Sequence, residues 1–329
     1  MKKFFALMLS VISVFCFVGC TPEQVGVDPV SPAPWVYDGN PANAYEKSTY
    51  KIVKTDQVTN TVIAEGELTF TIAPVTGETD GIELSTFSTN FSLTFNNDAP
   101  EVDRGKTDTI VSSVTFSSIS LSPRYSEKTV TLADREGVQN QSYTLVNDYV
   151  DGVSTLQMDG LNFNSTINFA GKSMLNVYDS NSIYTYLRAY PGMGNSKSGR
   201  FKINSFFDMH FNGARYAPLS MVFAGNGSSN DITANIGATL GEKYLGDDSG
   251  NVTAFKLDLT IDSEQSGPPR YFYLSKSPFV IEKATTPDGK DKSTSLVIVK
   301  MVEQEFDYNL ATVRYLTEYT LTDYTTVNA

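Results

Sequence analysis

The feature of this 329-residue sequence that most constrains its fold is an alternation of apolar and polar side chains. In residues 201–211 every second side chain is apolar except Ser205, and in residues 255–261 four apolar side chains alternate in the same way. Threonine, serine, valine, tyrosine and phenylalanine dominate such runs, as they do in β-strands. Strict alternation predicts strands with one buried face and one face in water.

Turn-forming residues separate the alternating runs. Gly, Asn and Asp tolerate positive φ or bond their own backbone, and no long segment shows a helical period. Short helical turns are expected only near residues 134–138 and 307–311. The sequence therefore predicts an all-β fold of antiparallel strands, in a sandwich or a barrel. The length favours a β-sandwich architecture with two sandwich-like units, whose boundary falls between residues 165 and 182.

The N-terminus has the layout of an export signal. Lys2 and Lys3 are followed by residues 4–18, which are apolar apart from Ser10 and Ser13. This is a cationic start followed by a short apolar core. The sequence Phe17-Val18-Gly19-Cys20 then resembles the lipobox of bacterial lipoproteins, with Phe17 in place of the usual leucine.

The resemblance to the lipoprotein class implies a covalent lipid anchor. Cleavage would follow Gly19, Cys20 would be diacylated on its sulfur, and its new amino group would then be acylated. Several acyl chains give stable anchoring in a membrane. Thr21 stands where an aspartate would retain a lipoprotein in the inner membrane. The expected location is therefore the bacterial cell envelope, at the periplasmic or surface face of the outer membrane.

A proline-rich stretch follows the proposed anchor and ends near Glu46. Proline favours extended, semi-rigid backbone, so this stretch is expected to be a tether, with Trp35 pinning it to the folded body. The predicted organisation is a signal peptide (1–19), the lipidated cysteine and tether (20–46), a first β-sandwich unit (47–170) and a second unit (171–329).

Composition excludes several functions. The two cysteines are Cys16, in the signal, and Cys20, so the folded body has no thiol for disulfides, metal binding or catalysis. The net charge of -12 and the absence of basic runs argue against nucleic acid as a partner. One histidine, His210, is present, and we interpret it as a solvent-facing strand residue.

The best candidate ligand site lies in residues 183–190. If this segment is extended, Tyr184, Tyr186, Arg188 and Tyr190 share one face, and Tyr and Arg are enriched at binding hot spots. Tyr271 and Tyr273 form a smaller version of this pattern. A weaker candidate, for calcium, is the oxygen-rich loop with Asp247, Asp248 and Asn251, although its spacing differs from that of an EF-hand and a hairpin turn explains it as well.

No catalytic motif emerges from the sequence, and no cofactor is predicted apart from the covalent lipid. The leading hypothesis is a lipid-anchored envelope protein with a non-enzymatic binding or structural role. Its ligand would be a glycan or another envelope protein. The alternative is a carboxylate-dependent glycan hydrolase or lyase on the same anchor, because two of the 37 acidic residues could lie close enough for that chemistry.

Overall fold

The first described element of the computed structural model is a strand that starts at Ala44. The model describes residues 44–79, 82–118, 122–137, 142–158, 163–168, 177–182, 184–185, 198–204, 207–208, 213–214, 219–225, 231–262, 270–276, 279–280, 294–295, 297–307 and 312–328. Among these residues, no helix is both long enough and apolar enough to cross a membrane.

The described elements are almost all strands. They are β1 (Ala44–Asp56), β2 (Thr61–Thr79), β3 (Ile82–Phe95), β4 (Thr107–Ser117), β5 (Pro123–Thr131), β6 (Tyr143–Asp148), β7 (Val153–Met158), β8 (Phe163–Asn168), β9 (Val177–Asp179), β10 (Ser198–Asn204), β11 (Phe207–Asp208), β12 (Gly213–Ala214), β13 (Leu219–Gly225), β14 (Ile232–Asn235), β15 (Asn251–Asp262), β16 (Arg270–Ser275), β17 (Phe279–Val280), β18 (Thr294–Ser295), β19 (Ile298–Asp307) and β20 (Thr312–Asn328). One α-helix, α1 (Ala238–Leu245), precedes β15, and a 3₁₀ turn (Ser180–Ser182) follows β9.

Sixteen of these strands form one continuous sheet. Its order is β8-β7-β6-β5-β4-β3-β2-β1-β20-β19-β16-β15-β13-β10-β9, and β14 also pairs with β15. Neighbouring strands are antiparallel except β9 and β10, which are parallel. The prediction of an all-β, antiparallel fold is therefore confirmed.

The described strands do not divide into two sandwich-like units as expected. β1 pairs with β2 on one side and with β20 on the other, so the first and last strands join the two halves in one sheet. Sequence periodicity cannot reveal this pairing, because it reports which face of a strand is buried and not which strand lies beside it. Residues 169–176, which contain the predicted boundary, lie outside the described residues, and its position stays a prediction.

One face of the sheet carries the core, which draws on both halves of the chain. Phe70 and Phe87 come from β2 and β3, and Phe272 and Tyr319 come from β16 and β20. Helix α1 packs at one end of this inner face. There the Tyr244 hydroxyl donates to the Tyr324 carbonyl oxygen at 2.5 Å.

The opposite end of the inner face carries a chain of alternating cations and aromatic rings. Arg135 and Lys54 lie 5.4 and 5.7 Å from the centroid of Phe95, and Lys54 and Arg314 lie 5.0 and 5.4 Å from that of Tyr315. Each cation also pairs with a carboxylate: Arg135 with Asp103 and Asp108, Lys54 with Glu305, and Arg314 with Asp56. This arrangement satisfies charged groups that are partly buried.

Candidate functional site

Two tyrosines project from the outer face of β16. Tyr271 and Tyr273 alternate with Phe272 and Leu274, whose side chains are buried in the core at 2% and 0% exposure. The two-residue period of a strand therefore places both tyrosines on the outer face, about 7 Å apart along the strand. Both are half-buried, and Tyr273 also packs against the edge of the core. This is the smaller of the two tyrosine patterns noted in the sequence.

The pairing register extends this outer face across five neighbouring strands in two rows. We call these rows together the tyrosine face. The carboxylate row contains Asp258, Tyr271, Val302, Glu318 and Val53, and the lysine row contains Lys256, Tyr273, Lys300, Thr320 and Lys51.

Lysines and carboxylates on the tyrosine face pair along and between neighbouring strands. Lys256 Nζ lies 3.6 Å from the ring centroid of Tyr271 and 3.2 Å from Asp258 Oδ1. Lys300 Nζ lies 2.5 Å from Glu318 Oε1. These four side chains are 22–38% exposed, and such pairs contribute at most about 1 kcal/mol to stability. A ligand can therefore replace one partner of either ion pair at a cost of at most about 1 kcal/mol.

The hydroxyl of Tyr273 is held in its protonated form. Burial raises the pKa of Tyr273. Its electrostatic interactions with Asp258, Tyr271 and Glu318 raise this pKa further. A protonated phenol can donate a hydrogen bond while its ring offers an apolar surface. The face thus combines two rigid rings with hydrogen-bond donors and with charges of both signs, which suits a polar ligand or a protein surface.

Tyr184 lies elsewhere, against the core on the inner face. Its ring centroid is 4.0 Å from that of Phe70, 6.1 Å from that of Phe87 and 5.8 Å from that of Phe272. Tyr184 thus bridges strands from the two halves of the chain.

The extended conformation expected for residues 183–190 is wrong at Tyr184 and Thr185, which have helical backbone. The preceding 3₁₀ turn explains the difference, because the Thr185 hydroxyl donates to the Ser182 carbonyl oxygen at 2.6 Å and keeps the chain coiled. The other candidates of this segment, Tyr186, Arg188 and Tyr190, lie outside the described residues.

A small cavity of about 10 Å³ lies beside Tyr184 on the inner face. Its lining includes Glu46, Ser48 and Tyr50. A cavity of this size has room for about one water molecule. A sugar ring would not fit here unless the Tyr184 segment moved.

Besides the polar lining of this cavity, the inner face carries a polar group centred on Glu303. The Tyr319 hydroxyl donates to Glu303 Oε2 at 2.9 Å, and Arg270 Nε lies 3.3 Å from Glu303 Oε1. Burial raises the pKa of Tyr319 well above 10.0, and the charge of Glu303 adds to this effect. Tyr319 therefore remains a hydrogen-bond donor, and the three side chains form a paired polar network on the inner face.

A third inner network, around Asp179, escaped the sequence analysis. Asp179 is fully buried and accepts hydrogen bonds from Ser126 Oγ at 2.5 Å, from the Tyr149 hydroxyl and from the Asn181 backbone N–H at 2.7 Å. Asn147 Nδ2 also approaches it, at 3.5 Å. These contacts fasten β9, at one end of the sheet, to β5 and to the β6–β7 region of the other half. The available signal was the polar residues Ser126 and Asn147 at positions where the alternation expects apolar ones.

The loop with Asp247, Asp248 and Asn251 forms a turn between α1 and β15. Asp247 Oδ1 accepts the Ser249 N–H at 2.8 Å, and this bond lowers the pKa of Asp247. Asn251 Oδ1 accepts from Asn235 Nδ2 at 3.0 Å. No group of three or more metal-ligating side chains occurs in the part of the chain that the structure describes. The loop oxygens thus serve the turn itself, and calcium binding here stays a prediction.

Three other residues singled out in the sequence cannot be placed. Cys20, Trp35 and His210 all lie outside the described residues. Lipidation of Cys20 therefore stays a prediction.

Comparisons with known proteins bear on the fold. No family model matches the chain, and no curated protein matches it. Among solved structures, it is similar to the crystal structure of a beta-barrel-like protein from Brucella abortus, described as a domain of unknown function, DUF1849. The match has a TM-score of 0.50 and 9% sequence identity, and covers 91% of this chain and 99% of the other. The likeness is one of fold alone.

Proposed function

We propose that this chain is a lipid-anchored protein of the bacterial cell envelope with a non-enzymatic binding role. Residues 1–20 support the anchor through their resemblance to a lipoprotein signal. The observation that carries the binding role is the tyrosine face, where Tyr271 and Tyr273 stand among weakly paired lysines and carboxylates. The ligand would be a glycan or a protein of the envelope, since both are bound through tyrosine rings and polar groups.

Binding is favoured over glycan hydrolysis by the polar groups of the inner face. Hydrolysis needs two carboxyl groups roughly 5 to 10 Å apart in a groove that admits a sugar. The cavity beside Tyr184 holds about 10 Å³, and Glu46 is the one carboxylate in its described lining. Glu303 is paired with Arg270 and accepts from Tyr319, which suits a structural role.

The anchor is tested by replacing Cys20. We expect Cys20→Ser to abolish incorporation of labelled palmitate and to release the chain from the membrane fraction, because the acylated sulfur is lost. Cys16→Ser is the matched control, since it removes the other thiol four residues away and should leave both readouts unchanged. Labelling that persists in Cys20→Ser would contradict the anchor.

The binding face is tested by thermal shift of the full-length chain against a panel of oligosaccharides and polysaccharides. A ligand at about 100 times its dissociation constant adds roughly 2.7 kcal/mol, which raises the Tm by about 5 °C for a chain of this size. We expect the double variant Tyr271→Ala, Tyr273→Ala to lose such a shift. Tyr125→Ala is the control, because Tyr125 is 41% exposed on another strand. A shift that survives in the double variant would place the ligand elsewhere.

A further inference from the structure

The tyrosine face is complementary to itself. Its carboxylate row and its lysine row run side by side across the same five strands, from β15 to β1. We propose that the partner of this face is a second copy of the chain, docked about a two-fold axis that runs across the strands between the two rows. This proposal rests on the proposed function only in taking the tyrosine face as a binding surface.

The two-fold axis sets one row against the other. Rotation about it leaves each strand facing the same strand of the second copy, but exchanges the rows. Lys256 then faces Asp258 of the second copy, and Tyr271 faces Tyr273 of the second copy. Lys300 comes within one strand spacing, about 4.8 Å, of the position facing Glu318 of the second copy. Every such contact occurs twice, as in any two-fold interface.

The packing resembles that of two aligned sheets. Facing strands run antiparallel, within the angular range over which twisted sheets pack face to face. Tyr271 and Tyr273, which are half-buried in the single chain, supply the apolar centre, whereas Val302 beside them is already buried at 7% exposure. The lysines and carboxylates form the rim, where they can exchange partners within their own chain for partners across the interface.

The expected association is weak. Five strands at about 4.8 Å spacing make the face roughly 20 Å wide, which is smaller than the surface buried in stable dimers. The high net negative charge of each chain also opposes approach. We therefore expect a dissociation constant on the order of 10 to 100 µM, in the range of transient contacts.

Charge reversal gives a specific test. The acidic-face variant is Lys256→Glu with Lys300→Glu, and the basic-face variant is Asp258→Lys with Glu318→Lys. Sedimentation equilibrium of full-length chains in density-matched detergent should show wild-type dimers at about 100 µM. Each variant alone should be monomeric, because like charges then face each other. An equimolar mixture of the two should pair at least ten-fold more tightly than either variant with itself.

A control separates the face from net charge. The variant Glu101→Lys with Glu242→Lys has the same net charge as the basic-face variant, but both substitutions lie at exposed positions away from the face. It should not pair preferentially with the acidic-face variant. If a charge-reversal variant fails to fold by circular dichroism, Tyr271→Ser with Tyr273→Ser replaces it, and at least ten-fold weaker self-association is expected.

Two results would overturn the proposal. One is a wild-type chain that stays monomeric at about 100 µM while the mixture of face variants also fails to pair. The other is equal pairing of the acidic-face variant with the basic-face variant and with the control. In either case, a glycan shift that is lost in Tyr271→Ala, Tyr273→Ala would still retain the face as a binding surface, so the two proposals fail separately.

Discussion

Replacing Asp179 by alanine is expected to lower the free energy of unfolding by about 3 to 4 kcal/mol. The substitution removes the acceptor shared by Ser126 Oγ, the Tyr149 hydroxyl and the Asn181 N–H, all in a buried setting. Donors left without an acceptor in the interior cost about 1 to 3 kcal/mol each, and part of this is offset because the carboxylate no longer needs to be buried. Chemical denaturation measures the change.

The matched control for this prediction is Asp179→Asn. Asparagine keeps one carbonyl oxygen as an acceptor and has nearly the same shape, so we expect a loss of about 1 kcal/mol. If alanine is tolerated as well as asparagine, the network does not fasten β9 to the other half of the sheet.

Comparing the wild type with Asp179→Asn also tests how the stability contributed by Asp179 depends on pH. Burial raises the pKa of Asp179 above its usual 3.8, against the hydrogen bonds from Ser126, Tyr149, Asn181 and Asn147, which lower it. Between the pKa of the unfolded state, 3.8, and the higher pKa of the native state, the native state binds more protons than the unfolded state. The stability contributed by Asp179 is therefore complete below pH 3.8 and falls as the pH rises through the native pKa. We expect the wild type to lose stability relative to Asp179→Asn as pH rises from about 4. The opposite trend would mean that the hydrogen bonds prevail.

Tyr184→Ala is expected to cost about 2 to 4 kcal/mol of unfolding free energy. The ring lies within 6.1 Å, centroid to centroid, of Phe70, Phe87 and Phe272, and its removal leaves a void between strands of the two halves. The partial exposure of the residue keeps the cost below that of a fully buried aromatic residue. Thermal and urea unfolding give the value.

Two comparisons frame the Tyr184 result. Tyr184→Phe keeps the ring and should stay within about 1 kcal/mol of the wild type. Tyr271→Ala removes a ring of the same kind from the outer face and should cost under about 1 kcal/mol. If Tyr184→Ala leaves stability unchanged but abolishes a ligand shift, Tyr184 is a binding residue, as the sequence first suggested.

The strands themselves could be predicted because alternation is a local signal. Val114 and Phe116 share a buried face of β4, and the expected face that includes Phe255 and Leu257 is buried on β15. The run expected over residues 201–211 is shorter in the described residues, where β10 ends at Asn204. What the period could not supply is the neighbour of each strand, which depends on contacts far apart in sequence, such as the pairing of Tyr50 with Leu321.

In the candidate site as well, the alternation predicts the placement of some residues but not of others. Tyr271 and Tyr273 could be placed on an outer face because they alternate with the buried Phe272 and Leu274. Tyr184 belongs to a similar sequence pattern, yet the turn before it directs its ring toward the core. Three partners of Asp179, namely Tyr149, Asn147 and Ser126, lie at least 30 positions from it in the sequence, beyond the reach of any local pattern.

The position of β1 has a mechanical consequence. This strand is the first described element of the chain, yet it lies inside the sheet. It has antiparallel neighbours along both sides, from Ala44 to Asp56 on β20 and from Glu46 to Asp56 on β2. A pull transmitted through the preceding segment acts along the strand axis and loads both ladders of hydrogen bonds in shear. Many bonds must then yield together, whereas an edge strand could be peeled away one bond at a time. If the proposed lipid anchor is present, tension from the membrane would therefore enter this body through a strand that is hydrogen-bonded along both sides.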